Sequence, residues 1–107
     1  MKQITPEALQ EWLGDGARAR PLLLDVREPW EFQTCRLADS QHVPMGEIPA
    51  RLAELDAQVE TVVICHHGNR SFHVAQFLEQ QGFPRVYNLA GGLDAWARNV
   101  DRNMPVY

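Results

Sequence analysis

A cysteine, a glycine, an arginine and a serine lie close together in residues 65–71, which read Cys-His-His-Gly-Asn-Arg-Ser. This segment follows an apolar, β-type run at 61–64 and precedes an amphipathic helical pattern at 72–78. Cys65 therefore lies where a strand is predicted to end and a helix to begin. The first N–H groups of a helix are unpaired, and the helix dipole adds partial positive charge there. Such a position stabilises a thiolate, a persulfide or a bound oxyanion, and Arg70 adds a permanent positive charge.

The other residues of this segment suit a tight loop around an anion. Gly68 allows the positive φ that a sharp backbone turn requires, and Asn69 tolerates the left-handed region better than most residues. Ser71 is expected to cap the start of the following helix. His66 and His67 would add positive character in mild acid and orient an anionic ligand. The alternative is that both histidines are exposed loop side chains that tune nothing.

The remaining chemistry-bearing residues give weaker signals. Adjacent side chains such as His66 and His67 rarely converge on one ion, and the chain has neither a Cys-x2-Cys motif nor a spaced histidine pair. We therefore predict no metal and no cofactor. Cys35 is expected to be a small buried hydrophobe. The alternative is that Cys35 resolves an oxidised Cys65 as an internal disulfide partner.

Length and composition bound the possible functions. The 107 residues suffice for one domain, predicted to span 1–107. The formal charge of −4, with no basic run, argues against nucleic acid or an anionic membrane as partner. No apolar run approaches the roughly 18 residues of a membrane helix, and the N-terminal residues do not resemble a signal peptide. We therefore expect a cytoplasmic protein with two free thiols.

Strand and helix patterns alternate along the chain. Strands are predicted at 3–4, 21–26, 41–43, 61–64 and 85–89. Helices are predicted to begin near Pro6, Pro29, Pro49, Arg70 and Gly92. This alternation predicts a parallel sheet covered on both faces, with ligands bound beyond the carboxyl ends of the strands. Three aromatic residues are expected in the core, namely Trp30, Phe32 and Trp96.

Three segments, in order and at fitting spacing, resemble the signatures of the rhodanese (thiosulfate sulfurtransferase) family. The first is the Cys-x-x-Gly-x-Arg-Ser loop at 65–71. The second, at 24–32, reads Leu-Asp-Val-Arg-Glu-Pro-Trp-Glu-Phe, and the third, at 89–96, reads Leu-Ala-Gly-Gly-Leu-Asp-Ala-Trp. The resemblance covers nearly the whole chain. It implies a rhodanese-like three-layer α/β fold with a five-stranded, mostly parallel sheet and helices on both faces.

The resemblance also implies a sulfurtransferase. Such an enzyme would move sulfane sulfur from thiosulfate or another persulfide donor to a thiol or cyanide acceptor, through a Cys65 persulfide. Cys65 and Arg70 would be catalytic, and Asp25 and Arg27 would brace the site. The residues expected to bind the small anionic donor are His66, His67, Gly68, Asn69 and Ser71.

Other functions use the same loop. A persulfide carrier would exchange sulfur with a protein donor or acceptor and would use thiosulfate poorly. A non-catalytic regulatory module would lack the cysteine, which is present here. Cysteine phosphatases of this fold, like small arsenate reductases, are disfavoured because phosphatases use a longer Cys-x5-Arg loop, whereas Cys65 and Arg70 are separated by four residues. Residues 35–40 also depart from the family pattern, because Arg36 replaces a histidine and Asp39 replaces a glycine. The resemblance therefore does not determine any donor specificity that this side of the site sets.

Overall fold

A computed structural model of the chain describes residues 1–107 and shows a single five-stranded sheet. The strands are β1 (Lys2–Ile4), β2 (Leu22–Asp25), β3 (Gln41–His42), β4 (Thr61–Ile64) and β5 (Val86–Leu89). The α-helices are α1 (Pro6–Gly14), α2 (Pro29–Thr34), α3 (Asn69–Gln80) and α4 (Gly92–Asn99). Two 3-10 turns lie between β3 and β4, at Met45–Glu47 and Leu52–Glu54.

All neighbouring strands are parallel, in the order β1-β5-β4-β2-β3. The central strand β4 is buried at all four residues because it pairs on both sides and is covered on both faces. The carboxyl ends of β4, β2 and β5 therefore meet at one edge of the sheet. The predicted three-layer α/β fold is confirmed.

Alternation along the strands divides the core into two layers. Val62 and Ile64 pack with α1 and α4 on one face of the sheet, through residues such as Trp12 and Trp96. Val63 and Cys65 pack with α3 and the 3-10 turns on the opposite face. Because Cys35 belongs to the first layer, the two cysteines lie in different cores, and both are free thiols.

Local sequence signals explain most helix boundaries. Thr5 caps α1 by accepting a hydrogen bond from the backbone N–H of Ala8 at 3.1 Å, and Pro6 occupies the first turn. Gly82, at φ +92°, follows Gln81, the C-cap residue of α3. Asp39, where the family pattern has a glycine, has φ +64°, in the left-handed region that aspartate tolerates better than most residues.

Two structural predictions are wrong. The helix expected from Pro49 does not form, because the chain makes the two short 3-10 turns instead. Trp30 was expected in the core, but 60% of its surface is exposed. The six-residue α2 directs Glu31 inward, and this leaves the adjacent Trp30 on the outer side of the helix. Trp96 is buried as predicted, and Phe32 is half-buried and stacks on the ring of His42.

None of the helices combines the length and the apolar character that a membrane span requires.

Candidate active site

The Sγ atom of Cys65 lies at the start of the loop that joins β4 to α3. It accepts hydrogen bonds from the backbone N–H of Gly68 at 3.1 Å and of Ser71 at 3.3 Å, and it lies 3.2 Å from Ser71 Oγ. The sulfur is thus the focus of the loop and of the N-terminus of α3. Only 1% of Cys65 is exposed. Fixed N–H dipoles in such an enclosed position stabilise negative charge strongly.

Gly68 allows the loop to close around the sulfur. Its φ of +97° lies in the left-handed region, as predicted. A side chain at this position would also press on the backbone N of Gly91 at 3.2 Å and the carbonyl O of Leu89 at 3.3 Å. Gly68 itself is the N-cap residue of α3. Ser71 therefore lies inside the first turn, and the prediction that its hydroxyl caps this helix is wrong.

The Gly91-Gly92 pair fixes the outer side of the loop. The N–H groups of Leu93 and Asp94, at the start of α4, donate to the carbonyl oxygens of Cys65 at 2.9 Å and His66 at 3.0 Å. A Cβ atom on Gly92 would lie only 2.4–2.5 Å from these backbone atoms. The close approach therefore requires glycine. It turns the loop carbonyls away from the sulfur and leaves the loop N–H groups facing inward.

Arg70 pairs with a carboxylate on another element. Its two terminal nitrogens donate to Glu31 of α2 at 2.6 and 2.9 Å, a bidentate geometry. This pairing holds the pKa of the buried Glu31 carboxyl at about 2 and raises the pKa of Arg70. The charge of Arg70 near the sulfur is therefore balanced by a partner that the sequence analysis did not assign. Only the position of Glu31 within the family signature at 24–32 could have indicated a role for it.

Asp25 and Arg27 form a buried support beneath this pair. Arg27 Nη2 lies 2.7 Å from Asp25 Oδ2, and both side chains are almost fully buried. Arg27 Nη1 donates to Tyr107 Oη at 2.8 Å, and that hydroxyl donates in turn to Glu31 Oε2 at 2.8 Å. Burial raises the pKa of Tyr107 to about 12, so it remains a neutral donor. The network thus connects β2 to the carboxylate that holds Arg70. No sequence signal pointed to Tyr107.

His66 and His67 stack on each other with ring centroids 4.0 Å apart, and Tyr107 stacks on His66 at 4.0 Å. Burial and the neighbouring His67 lower the pKa of His66, so it becomes positive only at more acidic pH than usual. Ligand atoms of His66, His67 and Asp94 lie within 4.8 Å of one another. However, the near-parallel rings direct their lone pairs side by side, and Asp94 is bound to Arg98 at 3.0 Å. A shared ion would require the rings to rotate.

The other predicted loop residue lies at the edge of the site. Asn69 is exposed as the first residue of α3, and its side chain makes no hydrogen bond to the sulfur. With His67 and Gly68 it borders an open cavity of about 230 Å³ between the loop and the end of β5. Small ligands therefore have a polar approach to the loop from this side.

These features can be compared with known proteins. The family model for the rhodanese-like domain matches residues 5–99. The chain belongs to the rhodanese-like domain family. It is 37% identical over 99 residues to a sulfurtransferase of Allochromatium vinosum, covering 92% of this chain and 91% of that protein. It is 38% identical over 95 residues to the thiosulfate sulfurtransferase GlpE of Pseudomonas syringae pv. syringae, covering 89% and 86%.

A solved structure has the same fold. The protein SSP1007 of Staphylococcus saprophyticus superposes with a TM-score of 0.85 at 30% identity, covering 94% of this chain and 97% of that one. The family model and the two relatives confirm the rhodanese-like resemblance. The relatives support sulfur transfer as the general chemistry of the family. That Cys65 acts as the nucleophile stays a prediction of the sequence analysis.

Proposed function

We propose that this protein transfers sulfane sulfur from thiosulfate or another persulfide donor to a thiol or cyanide, through a persulfide on Cys65. The observation that carries the proposal is the convergence of the Gly68 and Ser71 N–H groups on the Cys65 sulfur. These donors suit a sulfur atom that carries or passes on negative charge. The named activity of the Pseudomonas relative supports thiosulfate as the donor.

In the first half of the reaction, the Cys65 thiolate attacks the outer sulfur of thiosulfate. A new bond forms between the two sulfur atoms, and the sulfur–sulfur bond of thiosulfate breaks. Sulfite leaves with the electron pair of that bond, and the negative charge comes to rest on the outer sulfur of the persulfide. Since Cys65 is 1% exposed, the donor must present a terminal sulfur atom to reach it.

The residues around the sulfur then have distinct roles. The loop N–H groups and the N-terminus of α3 hold the anionic persulfide. Arg70 supplies positive charge at the site, and Glu31 fixes the guanidinium in place. His67 borders the open approach to the loop, and His66 stacks beside it, so both are placed to contact the donor. Asp25 and Arg27 brace Glu31 through Tyr107.

In the second half, an acceptor thiolate or cyanide attacks the outer sulfur of the persulfide. The bond between this sulfur and Cys65 breaks, and its electron pair returns to Cys65 as the thiolate. The acceptor leaves as a persulfide or as thiocyanate. No net oxidation or reduction is required, so the site needs no cofactor for this cycle.

The test is a donor comparison with purified protein. Thiocyanate formation from thiosulfate and cyanide is measured for the wild type, Cys65→Ser and, as a matched control, Cys35→Ser. We expect turnover in the wild type and the control, and none in folded Cys65→Ser. Substantial turnover by Cys65→Ser would refute the covalent mechanism. The same assay is then run with a protein persulfide as the donor in place of thiosulfate. Efficient use of the protein persulfide, with little use of thiosulfate, would indicate the carrier function instead.

A second substrate tests the loop-length argument. The four residues between Cys65 and Arg70 make a shorter cradle than the phosphatase loop, and we expect no hydrolysis of an aryl phosphate. Robust hydrolysis that is lost in Cys65→Ser would show that the site accepts a phosphate and that the proposed substrate class is wrong.

A further inference from the structure

Asn88, a buried amide in β5, contacts both groups that surround the Cys65 sulfur. Only 3% of its surface is exposed. Its Nδ2 donates to the carbonyl oxygen of Gly68 at 3.1 Å, and its Oδ1 accepts from the hydroxyl of Ser71 at 2.5 Å. Gly68 and Ser71 are the two residues whose N–H groups contact the sulfur. The sequence contains only a weak signal for this residue, a polar side chain within an otherwise apolar strand end.

The orientation of the Asn88 amide is fixed by its partners. A backbone carbonyl such as that of Gly68 can only accept a hydrogen bond, so it must face the nitrogen of the amide. The second hydrogen of Nδ2 is directed to Gln3 Oε1 at 3.1 Å. The amide oxygen therefore faces Ser71. A flipped amide would bring two acceptor oxygens together at Gly68.

This orientation determines where the hydroxyl hydrogen of Ser71 points. A serine hydroxyl has one hydrogen, and here it is donated to Asn88. The Ser71 oxygen, 3.2 Å from Cys65 Sγ, thus presents a lone pair to the sulfur. A protonated thiol can donate to that lone pair, whereas a thiolate cannot accept a hydrogen bond from it.

We propose that Asn88 is a positioning residue that holds the Ser71 hydrogen away from Cys65 and so disfavours negative charge on Sγ itself. If the proposed sulfur transfer is correct, the same arrangement favours the loaded state. In the thiolate the charge is on Sγ, facing the Ser71 lone pair. After the donor's sulfur–sulfur bond breaks and the new bond to Sγ forms, the negative charge lies on the outer sulfur. The lone pair of Ser71 Oγ faces Sγ and does not face this outer sulfur.

Other charged groups around Cys65 stay constant in the test. Arg70 of α3 is paired with Glu31 of α2. Asp25, the last residue of the neighbouring strand β2, is paired with Arg27. At the start of α4, Asp94 lies beside His66 and is paired with Arg98. None of these groups hydrogen-bonds to the Asn88 side chain, whose partners are Ser71, Gly68 and Gln3. Of these three partners, only Ser71 and Gly68 contact the Cys65 sulfur, so we expect an Asn88 substitution to act through one of them.

The experiment measures the pH dependence of iodoacetamide alkylation at the peptide that holds Cys65, without any sulfur donor. In Asn88→Leu the Ser71 hydrogen is free to turn to the thiolate. Gly68 O keeps its bond from the N–H of Phe72 at 3.2 Å. We expect the alkylation midpoint to fall by about one pH unit. A shift of this size corresponds to the free energy of one hydrogen bond to an anion. An unchanged or higher midpoint in the folded variant would overturn the proposal.

The Ser71→Ala variant tests the proposal even if Asn88→Leu does not fold. If Ser71 donated to the thiolate in the native protein, losing the hydroxyl would raise the midpoint. We expect no rise, because the hydrogen is held by Asn88. A rise would overturn the proposal. In the double variant, Asn88→Leu should cause no further fall relative to Ser71→Ala alone, and a persisting fall would show that Asn88 acts by another route.

A loading measurement then separates this inference from the proposed function. Above the midpoint, the equilibrium constant for forming the Cys65 persulfide from thiosulfate should fall about tenfold in Asn88→Leu, matching the one-unit shift. If the alkylation midpoints behave as expected but no variant is ever loaded, the proposed function fails and the Asn88 inference stands. If loading occurs but the midpoints do not shift, the Asn88 inference fails alone.

Discussion

Replacing Glu31 by glutamine tests the ion pair that fixes Arg70. The carboxylate is almost fully buried and accepts hydrogen bonds from Arg70, from Tyr107 Oη at 2.8 Å and from the N–H of Glu28 at 3.1 Å. The hydrogen bonds from Arg70 are the largest cause of its low pKa, about 2 compared with 4.5 for a free glutamate. Glu31→Gln keeps the size of the side chain and removes its charge.

The sign and size of the effect follow from these two pKa values. Because the folded-state pKa is lowered, the stabilisation is complete above pH 4.5 and is lost as the pH falls toward 2. The shift corresponds to about 3 kcal/mol at pH 7, of which about 2 kcal/mol should be lost by about pH 3. The stability difference between the wild type and Glu31→Gln should shrink by that amount over this range.

Urea unfolding at pH 7 and pH 3 provides the measurement. Glu11→Gln is the matched control, because Glu11 is exposed on α1 and has no ion-pair partner. Its stability difference from the wild type should stay nearly constant with pH. If the difference for Glu31→Gln is equally constant, Glu31 is not held ionised by Arg70, and the reasoning about this pair is refuted.

Three further substitutions test other parts of the site. Gly92→Ala should abolish sulfur transfer or folding, because the added Cβ would lie within 2.5 Å of backbone atoms of Cys65 and His66. Gly46→Ala is the control, since a Cβ at that position would have no atom within 4 Å, and it should leave activity unchanged in the same assay. Tyr107→Phe should lower the free energy of unfolding by about 1–3 kcal/mol, since two buried charged partners lose a hydroxyl bond; an unchanged urea midpoint would contradict this. Cys35→Ala should retain persulfide formation measured by mass spectrometry, because Cys35 packs in the other core, and loss of the persulfide in the folded variant would support a resolving role.

The sequence predicted most of the fold because strand and helix patterns alternate clearly. Buried strands such as β2 and β4 are continuous apolar runs, and α1 and α3 have clear end signals. The region after β3 was harder, because apolar residues at 48, 52 and 55 mimic a helical period. Packing of Ile48 and Leu55 under α3 is achieved there by short turns instead.

The sequence predicted the tight loop around Cys65, but it did not predict the residues that support this loop from other elements. Cys65 and Gly68 lie within one contiguous motif, so local spacing is enough to place them. Glu31, Asn88 and Tyr107 reach the site from α2, β5 and the segment after α4, and only the tertiary fold brings them together. Ser71 shows the same limit, since its hydroxyl is directed by a residue 17 positions away.

The most direct test of the account is the intact mass of the protein after incubation with thiosulfate in the absence of an acceptor. If the loop N–H groups hold an anionic persulfide on Cys65, as proposed, a species heavier by one sulfur atom should accumulate. The added sulfur should map to the peptide that contains Cys65 and disappear on addition of cyanide or a thiol. No mass increase, or sulfur found on Cys35 instead, would contradict the central claim that Cys65 carries the transferred sulfur.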